Sequence, residues 1–126
     1  MPNNFKKILV IEDEESVRKV IVNAVHDLKC EVMEAKDGKQ GLDLALSRHP
    51  DLIILDLIMP KMAGQQVCKE LRADAWGKNA HIIVLTNLDS KTEKDELVNL
   101  KVDEYLVKSN HKLEDVVQIV KTIINI

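Results

Sequence analysis

Aromatic residues are almost missing: Phe5, Trp76 and Tyr105 make up 2% of the 126-residue chain. A surface that stacks successive bases on aromatic rings is thereby excluded. Glycine (4 residues) and proline (3 residues) are scarce as well, which leaves no flexible linker and no low-complexity segment. The two cysteines, Cys30 and Cys68, stand far apart and in no metal or redox spacing; they read as reduced, buried thiols, with a disulfide as the lesser alternative. The histidines, His26, His49, His81 and His111, are scattered, which argues against a metal centre built from them. No apolar run is long enough to cross a bilayer, and the opening segment MPNNFKK lacks the apolar core of a secretory leader. Neither charge sign dominates: 18 basic against 21 acidic side chains give a net charge of −3, a poor balance for a nucleic-acid surface. The expectation is one cytoplasmic domain over residues 1–126, with no membrane and no direct nucleic-acid contact.

What is present is a regular alternation. Short apolar runs are read as strands at Lys7 to Glu12, Cys30 to Ala35, Asp51 to Asp56, His81 to Thr86 and Glu104 to Val107. Between them lie amphipathic stretches with apolar residues at helical spacing. The first carries Val17, Val20, Ile21, Ala24, Val25 and Leu28; the second Leu42, Ala45 and Leu46; the third, from Gly64 to Ala73, Val67, Cys68 and Leu71. The fourth opens on a capping-box pattern, Ser90 with Glu93, and has a thin apolar set of Leu97, Val98 and Leu100. The last carries Leu113, Val116, Val117, Val120, Ile123 and Ile124. Asp37–Gly38 reads as a turn, and Gly64 as a residue placed for unusual dihedrals. Strands that are apolar without alternation are buried on both faces, which points to a parallel sheet covered by helices. Ligands of such sheets bind beyond the carboxyl ends of the strands.

The strand ends then become the informative positions. The first run breaks abruptly into acids, ILVIEDEE, with Glu12 and Asp13 at its end. The third run ends in Asp56, the fourth in Thr86, and Lys108 follows the fifth. Crowded carboxylates repel one another unless a cation lies between them. Three carboxylates, a hydroxyl and an ammonium at one sheet edge suit Mg²⁺ together with a phosphoryl group. Each residue also has a plainer reading: Asp56 as a loop cap, Glu12 and Asp13 as a solvated helix start, Thr86 as a β-branched strand end, Lys108 as a surface lysine, Tyr105 as a static half-buried ring. The convergence of all of them on one edge favours a site.

The segments ILVIEDEE, DLIILDLIMPKMAG, IIVLT and YLVKS, in order and over nearly the whole chain, resemble the receiver domains of bacterial two-component response regulators. The resemblance implies a flavodoxin-like (βα)5 fold, an α/β architecture with a five-stranded parallel sheet in the order 2-1-3-4-5 and helices on both faces. It implies that Asp56 is the phosphoacceptor, served by a histidine kinase or histidine phosphotransfer protein. Mg²⁺ would be held by Asp13, Asp56 and the backbone carbonyl of Ile58, with Glu12 acting through water. Lys108 and Thr86 would contact the phosphoryl group, and Thr86 and Tyr105 would form the switch. Such a protein is no enzyme towards outside substrates; it catalyses its own phosphorylation and slow dephosphorylation. Its output would be contact with an unidentified downstream protein, or a phosphorylation-dependent homodimer, through the face of the fourth helix, fifth strand and fifth helix. It is expected to be a single-domain regulator or a receiver excised from a longer protein.

Three departures from the family's usual pattern involve four positions. Asn87 replaces a small residue after Thr86 and is expected to crowd Asp56. Ile58 and Leu88, both apolar, stand where water-orienting groups are common, so a long-lived acyl phosphate is expected. Ser109 replaces the proline after Lys108, which leaves the isomer of that peptide bond open. The alternatives are a receiver-fold interaction module that does not cycle, and a phosphoester hydrolase using the same aspartate. The latter is disfavoured because Ile58 occupies the place of a second acid. A dinucleotide site is disfavoured because the first βα turn is acidic and has no glycine fingerprint.

Overall fold

The computed structural model describes residues 5–125; residues 1–4 of the MPNNFKK segment and residue 126 lie outside the described residues. The chain runs through β1 (Lys7–Ile11), α1 (Glu15–His26), β2 (Glu31–Ala35), α2 (Gly38–Arg48), β3 (Leu52–Leu55), α3 (Gly64–Arg72), β4 (Ile82–Thr86), α4 (Lys91–Asn99), β5 (Glu104–Val107) and α5 (Leu113–Ile124). Single 3₁₀ turns cover Gly77–Asn79 and Lys108–Asn110. All pairings are parallel and the strand order is β2-β1-β3-β4-β5, as the family resemblance implies.

Strand side chains alternate between two cores, because successive residues point to opposite faces. Leu9, Ile11, Ile53, Leu55, Ile82 and Val84 pack with Leu42, Ala45, Val67, Cys68, Leu71 and Leu97 of α2, α3 and α4. Ile8, Val10, Leu52, Ile54, Ile83, Leu85 and Leu106 pack with Ile21, Val25, Val116, Val120 and Ile124 of α1 and α5. Burial pushes the Cys68 thiol up to about 12, and both cysteines are free and buried.

Several expectations need correction. β1 and β3 stop one residue short of Glu12 and Asp56, and β2, β3 and β4 start one residue after Cys30, Asp51 and His81. The two acids still donate their backbone N–H groups to the neighbouring strand, Glu12 to Ala35 at 3.0 Å and Asp56 to Ile11 at 3.1 Å. Their backbones are thus fixed while their side chains leave the sheet. Val20, Leu46, Val98 and Leu113 are exposed. Val20 and Leu113 flank an open cleft between α1 and α5. Leu46 and Val98 lie at the margins of stripes whose buried side chains are Leu42 and Ala45 on α2 and Leu97 on α4.

Asp37 is not in a turn. It caps α2, accepting the Gln40 N–H at 2.8 Å, and Gly38 is the first helical residue. The Ser90–Glu93 box is half-formed: Ser90 Oγ accepts from the Glu93 N–H at 3.5 Å. The Glu93 carboxylate instead takes a 2.8 Å bond from Gln65 Nε2 on α3. At the other end of α4, Arg72 donates to the carbonyls of Leu100, Gly77, Ala80 and Lys101. At the edge from which the strands start, the Trp76 ring stacks on His49 with centroids 4.5 Å apart.

Gly64 has an ordinary φ, as do the other glycines among the described residues. Its role is proximity. A Cβ there would come within 2.4 Å of the Asp56 carbonyl oxygen and 2.8 Å of Leu57 Cα. Backbone atoms cannot swing aside, so α3 would have to lift off the β3–α3 loop. Gly64→Ala is expected to lower stability by about 1–3 kcal/mol in urea denaturation.

Candidate functional site

Right-handed parallel crossovers bring the carboxyl ends of β1, β3, β4 and β5 to one edge. There Glu12, Asp13 and Asp56 present carboxylate oxygens that all lie within 4.8 Å of one another. Glu12 and Asp56 are buried and Asp13 is exposed. Lys108, from the 3₁₀ turn after β5, reaches into the acids: its Nζ lies 2.5 Å from Glu12 Oε1 and 3.5 Å from Asp56 Oδ2. Among the described residues every peptide bond is trans, including Lys108–Ser109. The lysine meets both acids with serine in the following position.

Asp56 is oriented by its own loop. Oδ1 accepts the Leu57 N–H at 2.7 Å and lies 3.5 Å from the Ile58 nitrogen, which turns Oδ2 towards Lys108. Burial pushes the Glu12 carboxyl above its ordinary value; the bonds from Lys108 and the Glu14 N–H pull it back, and the Asp56 charge pushes the same way as burial. Burial also works against the Lys108 ammonium. Its bond to Glu12 and the charges of Asp56 and Glu12 outweigh that, so Lys108 is held above its ordinary value and stays charged. Three carboxylates against one ammonium leave the pocket two negative charges in excess. Oxygen donors this close fit a hard divalent cation that keeps part of its water shell.

Thr86, at the end of β4, is fully buried and accepts the Leu88 N–H at 3.3 Å. Tyr105 on β5 is half-buried, and its hydroxyl donates to the Leu88 carbonyl at 2.5 Å. The Leu88 peptide unit is therefore held at its nitrogen by Thr86 and at its carbonyl by Tyr105. Burial, with Glu93, Asp89 and Asp56, holds the Tyr105 phenol above its ordinary value, so it remains a donor. Ile58 is 60% exposed at the mouth of the pocket, Asn87 is exposed, and Leu88 packs part-buried against the core. The structure thus brings Glu12, Asp13, Asp56 and Lys108 together and joins Thr86 and Tyr105 through Leu88. It leaves Asn87 and Ile58 facing solvent, and among the described residues no contact shows Asn87 crowding Asp56.

Sequence reasoning overlooked a further group. Arg18 on α1 is buried; its Nη1 donates to the Glu12 carbonyl at 3.0 Å and its Nε to Glu34 Oε1 at 2.9 Å. Lys19 also bonds Glu34. Burial works against the Glu34 charge, yet Arg18 and Lys19 together hold its carboxyl below the ordinary value. The available signal was periodicity: Arg18 precedes Ile21 and Val25 at i+3 and i+7, a charge set on the apolar stripe.

Removing the Lys108 charge leaves Glu12 and Asp56 facing each other. Lys108→Met is expected to cost about 2–3 kcal/mol at neutral pH. Without the ammonium the Glu12 carboxyl rises further, the native state binds more protons than the unfolded chain, and stability falls as pH rises through that interval. The loss should therefore be larger at pH 8 than at pH 4, as measured by urea denaturation at the two values.

Comparison with known proteins agrees with this arrangement. A family model described as response regulator receiver domain matches residues 8–121. The chain is 38% identical over 103 residues to a probable transcriptional regulator ycf27 of Porphyridium aerugineum, covering 82% of this chain and 42% of that protein. It is 36% identical over 102 residues to response regulator MprA of Mycolicibacterium vanbaalenii, covering 81% and 43%. The chain thus spans less than half the length of these curated relatives. Among solved structures, chemotaxis protein CheY4 of Vibrio cholerae superposes with a TM-score of 0.85 at 28% identity, over 94% of this chain and 98% of that one. The REC domain of AraT, a response regulator from Geobacillus stearothermophilus, gives a TM-score of 0.82 at 32% identity, over 95% and 93%. With its sheet order and with sequence similarity over most of its length, the chain belongs to the response regulator receiver domain family.

Proposed function

We propose that this protein is a phosphoacceptor switch in which Asp56 receives a phosphoryl group from a phosphohistidine of a kinase or phosphotransfer partner. The observation that carries the reading is the meeting of Glu12, Asp13, Asp56 and Lys108 at one sheet edge, with carboxylate oxygens within 4.8 Å. Receiver domains generally bind Mg²⁺ at an acidic pocket, and Asp13, Asp56 and the Ile58 carbonyl would hold it here, with Glu12 outside through water. When bound, the ion supplies positive charge between the acids and the phosphoryl oxygens. An Asp56 carboxylate oxygen forms the new bond to phosphorus as the phosphorus–nitrogen bond breaks and the donor imidazole leaves. The Leu57 N–H fixes the rotation of that carboxylate, and Lys108 Nζ moves with the developing charge on the transferred group. The protein acts on no outside substrate and turns over only its own phosphoryl group.

The signal follows from how α4 is attached. Its C-terminal end is tied by Arg72 to the Leu100 and Lys101 carbonyls. Its N-terminal end is held by Gln65–Glu93 and by the Thr86 and Tyr105 bonds to Leu88. When the Thr86 hydroxyl turns to a phosphoryl oxygen, Leu88 loses its partner and Tyr105 is freed. The N-terminal end of α4 then swings about the Arg72 anchor, and the α4–β5–α5 face changes for a downstream protein or a second copy. The intact acid set, Glu12, Asp13 and Asp56 with Lys108, favours this cycling reading over a static interaction module.

Incubation with Mg²⁺ and acetyl phosphate should add one phosphoryl group by intact mass, and Asp56→Asn should add none. Labelling that persists in Asp56→Asn would sink the reading. The apolar Ile58 and Leu88 offer no group to orient a water beside Asp56, and Asn87 stands after Thr86 where a small residue would leave the approach open. The triple variant Ile58→Asn, Asn87→Ala, Leu88→Glu is therefore expected to lose its label at least about tenfold faster than the wild type, followed by mass over time.

A further inference from the structure

Arg18 lies on the buried stripe of α1, where Ile21 and Val25 continue the row. Replacing a whole buried ion pair by apolar residues of similar size is often neutral, so the Arg18–Glu34 pair by itself gives little reason for an arginine on this stripe. Stability therefore does not account for the choice. What an apolar residue would not supply is the bond from Nη1 to the Glu12 carbonyl, 3.0 Å long and buried.

That carbonyl belongs to the planar peptide unit joining Glu12 to Asp13. Glu12 is already anchored without Arg18: its N–H donates to Ala35, and its carboxylate accepts from the Glu14 N–H and from Lys108. Asp13 is different. It is exposed, and among the described residues its carboxylate has no hydrogen-bond or ion-pair partner. The place from which it reaches the cluster is fixed by its backbone, whose preceding peptide plane Arg18 holds.

We propose that Arg18 is a positioning residue for the divalent-cation site: through the Glu12 carbonyl it aims Asp13 at the Glu12–Asp56 cluster, while Glu34, braced by Lys19, keeps the guanidinium in place. The inference rests on the reading of this pocket as a cation-assisted phosphoacceptor. Groups outside the first ring of metal ligands commonly matter to affinity by one or two orders of magnitude when they orient a ligand. Charge and position pull in opposite directions here. Arg18 is a cation beside a cation site, so its field weakens Mg²⁺ binding and its removal would tighten it. Its hold on the peptide plane strengthens binding and its removal would loosen it.

The sign of the change decides. Mg²⁺ titration by calorimetry on the full chain, with circular dichroism to verify folding, compares wild type with Arg18→Met and Arg18→Lys. The proposal expects Arg18→Met to raise the dissociation constant about tenfold, and Arg18→Lys, which keeps one donor and the charge, to recover part of that. Equal or tighter binding by folded Arg18→Met overturns it. Should Arg18→Met fail to fold, Glu34→Gln and Arg18→Lys carry the test through amide hydrogen exchange at Asp13 and Glu14. Faster exchange there with weaker Mg²⁺ binding supports the proposal, and unchanged exchange with unchanged binding overturns it. Wild-type protein that takes up no Mg²⁺ overturns the reading of the pocket and the proposal together; wild-type uptake matched by Arg18→Met overturns the proposal alone.

Discussion

The Lys108 ammonium between Glu12 and Asp56 is the contact on which the rest of the structure depends. Two buried carboxylates at the ends of adjacent strands repel each other, and a lysine delivered from a third strand end offsets that repulsion without filling the space above them. The sheet exists, in functional terms, to make this meeting reproducible. Backbone bonds from Glu12 to β2 and from Asp56 to β1 mean that neither acid can drift without breaking the ladder. The two apolar layers then fix the sheet, because each strand is gripped from both faces.

Charge excess and thin packing are divided between different parts of the molecule. On its β1 and β3 side the acidic edge is well tied: ladder bonds and Arg18 hold backbone groups of Glu12 and Asp56, and Lys108 holds their carboxylates. On its β4 and β5 side the connections are few: Leu88 hangs between Thr86 and Tyr105, and α4 buries only Leu97 fully. A pocket that binds firmly on one flank and yields on the other can convert chemistry into displacement. A helix with so thin an apolar face is expected to be the element that moves at least cost.

Much of this was legible in the sequence because the parallel sheet writes its function at the strand ends. An apolar run followed by Glu12–Asp13, another by Asp56, another closed by Thr86 and a fourth followed by Lys108 need only the topology to bring them together. What escaped was set by three-dimensional proximity. Gly64 looks like a turn residue until the Asp56 carbonyl is found against its Cα. Glu93 fits a capping box, but Gln65, 28 residues away, takes its carboxylate. Val20, Leu46, Val98 and Leu113 obey helical spacing and still face outward, since periodicity gives the direction of a stripe and not its width. Arg18 was hidden for the converse reason, as a charge that the stripe itself contains.

The pairing of Trp76 with His49 separates the molecule's optical label from its chemistry. The lone indole sits where strands begin, and the acids sit where strands finish; a five-residue strand spans about 16 Å. Emission from Trp76 is coupled to the imidazole stacked on it and belongs to the quiet pole of the sheet. Any change of colour or brightness that accompanies events at Asp56 would therefore measure how far a disturbance travels through the β-ladder, and constancy would mark the sheet as a rigid plate with all its give in the loops above it.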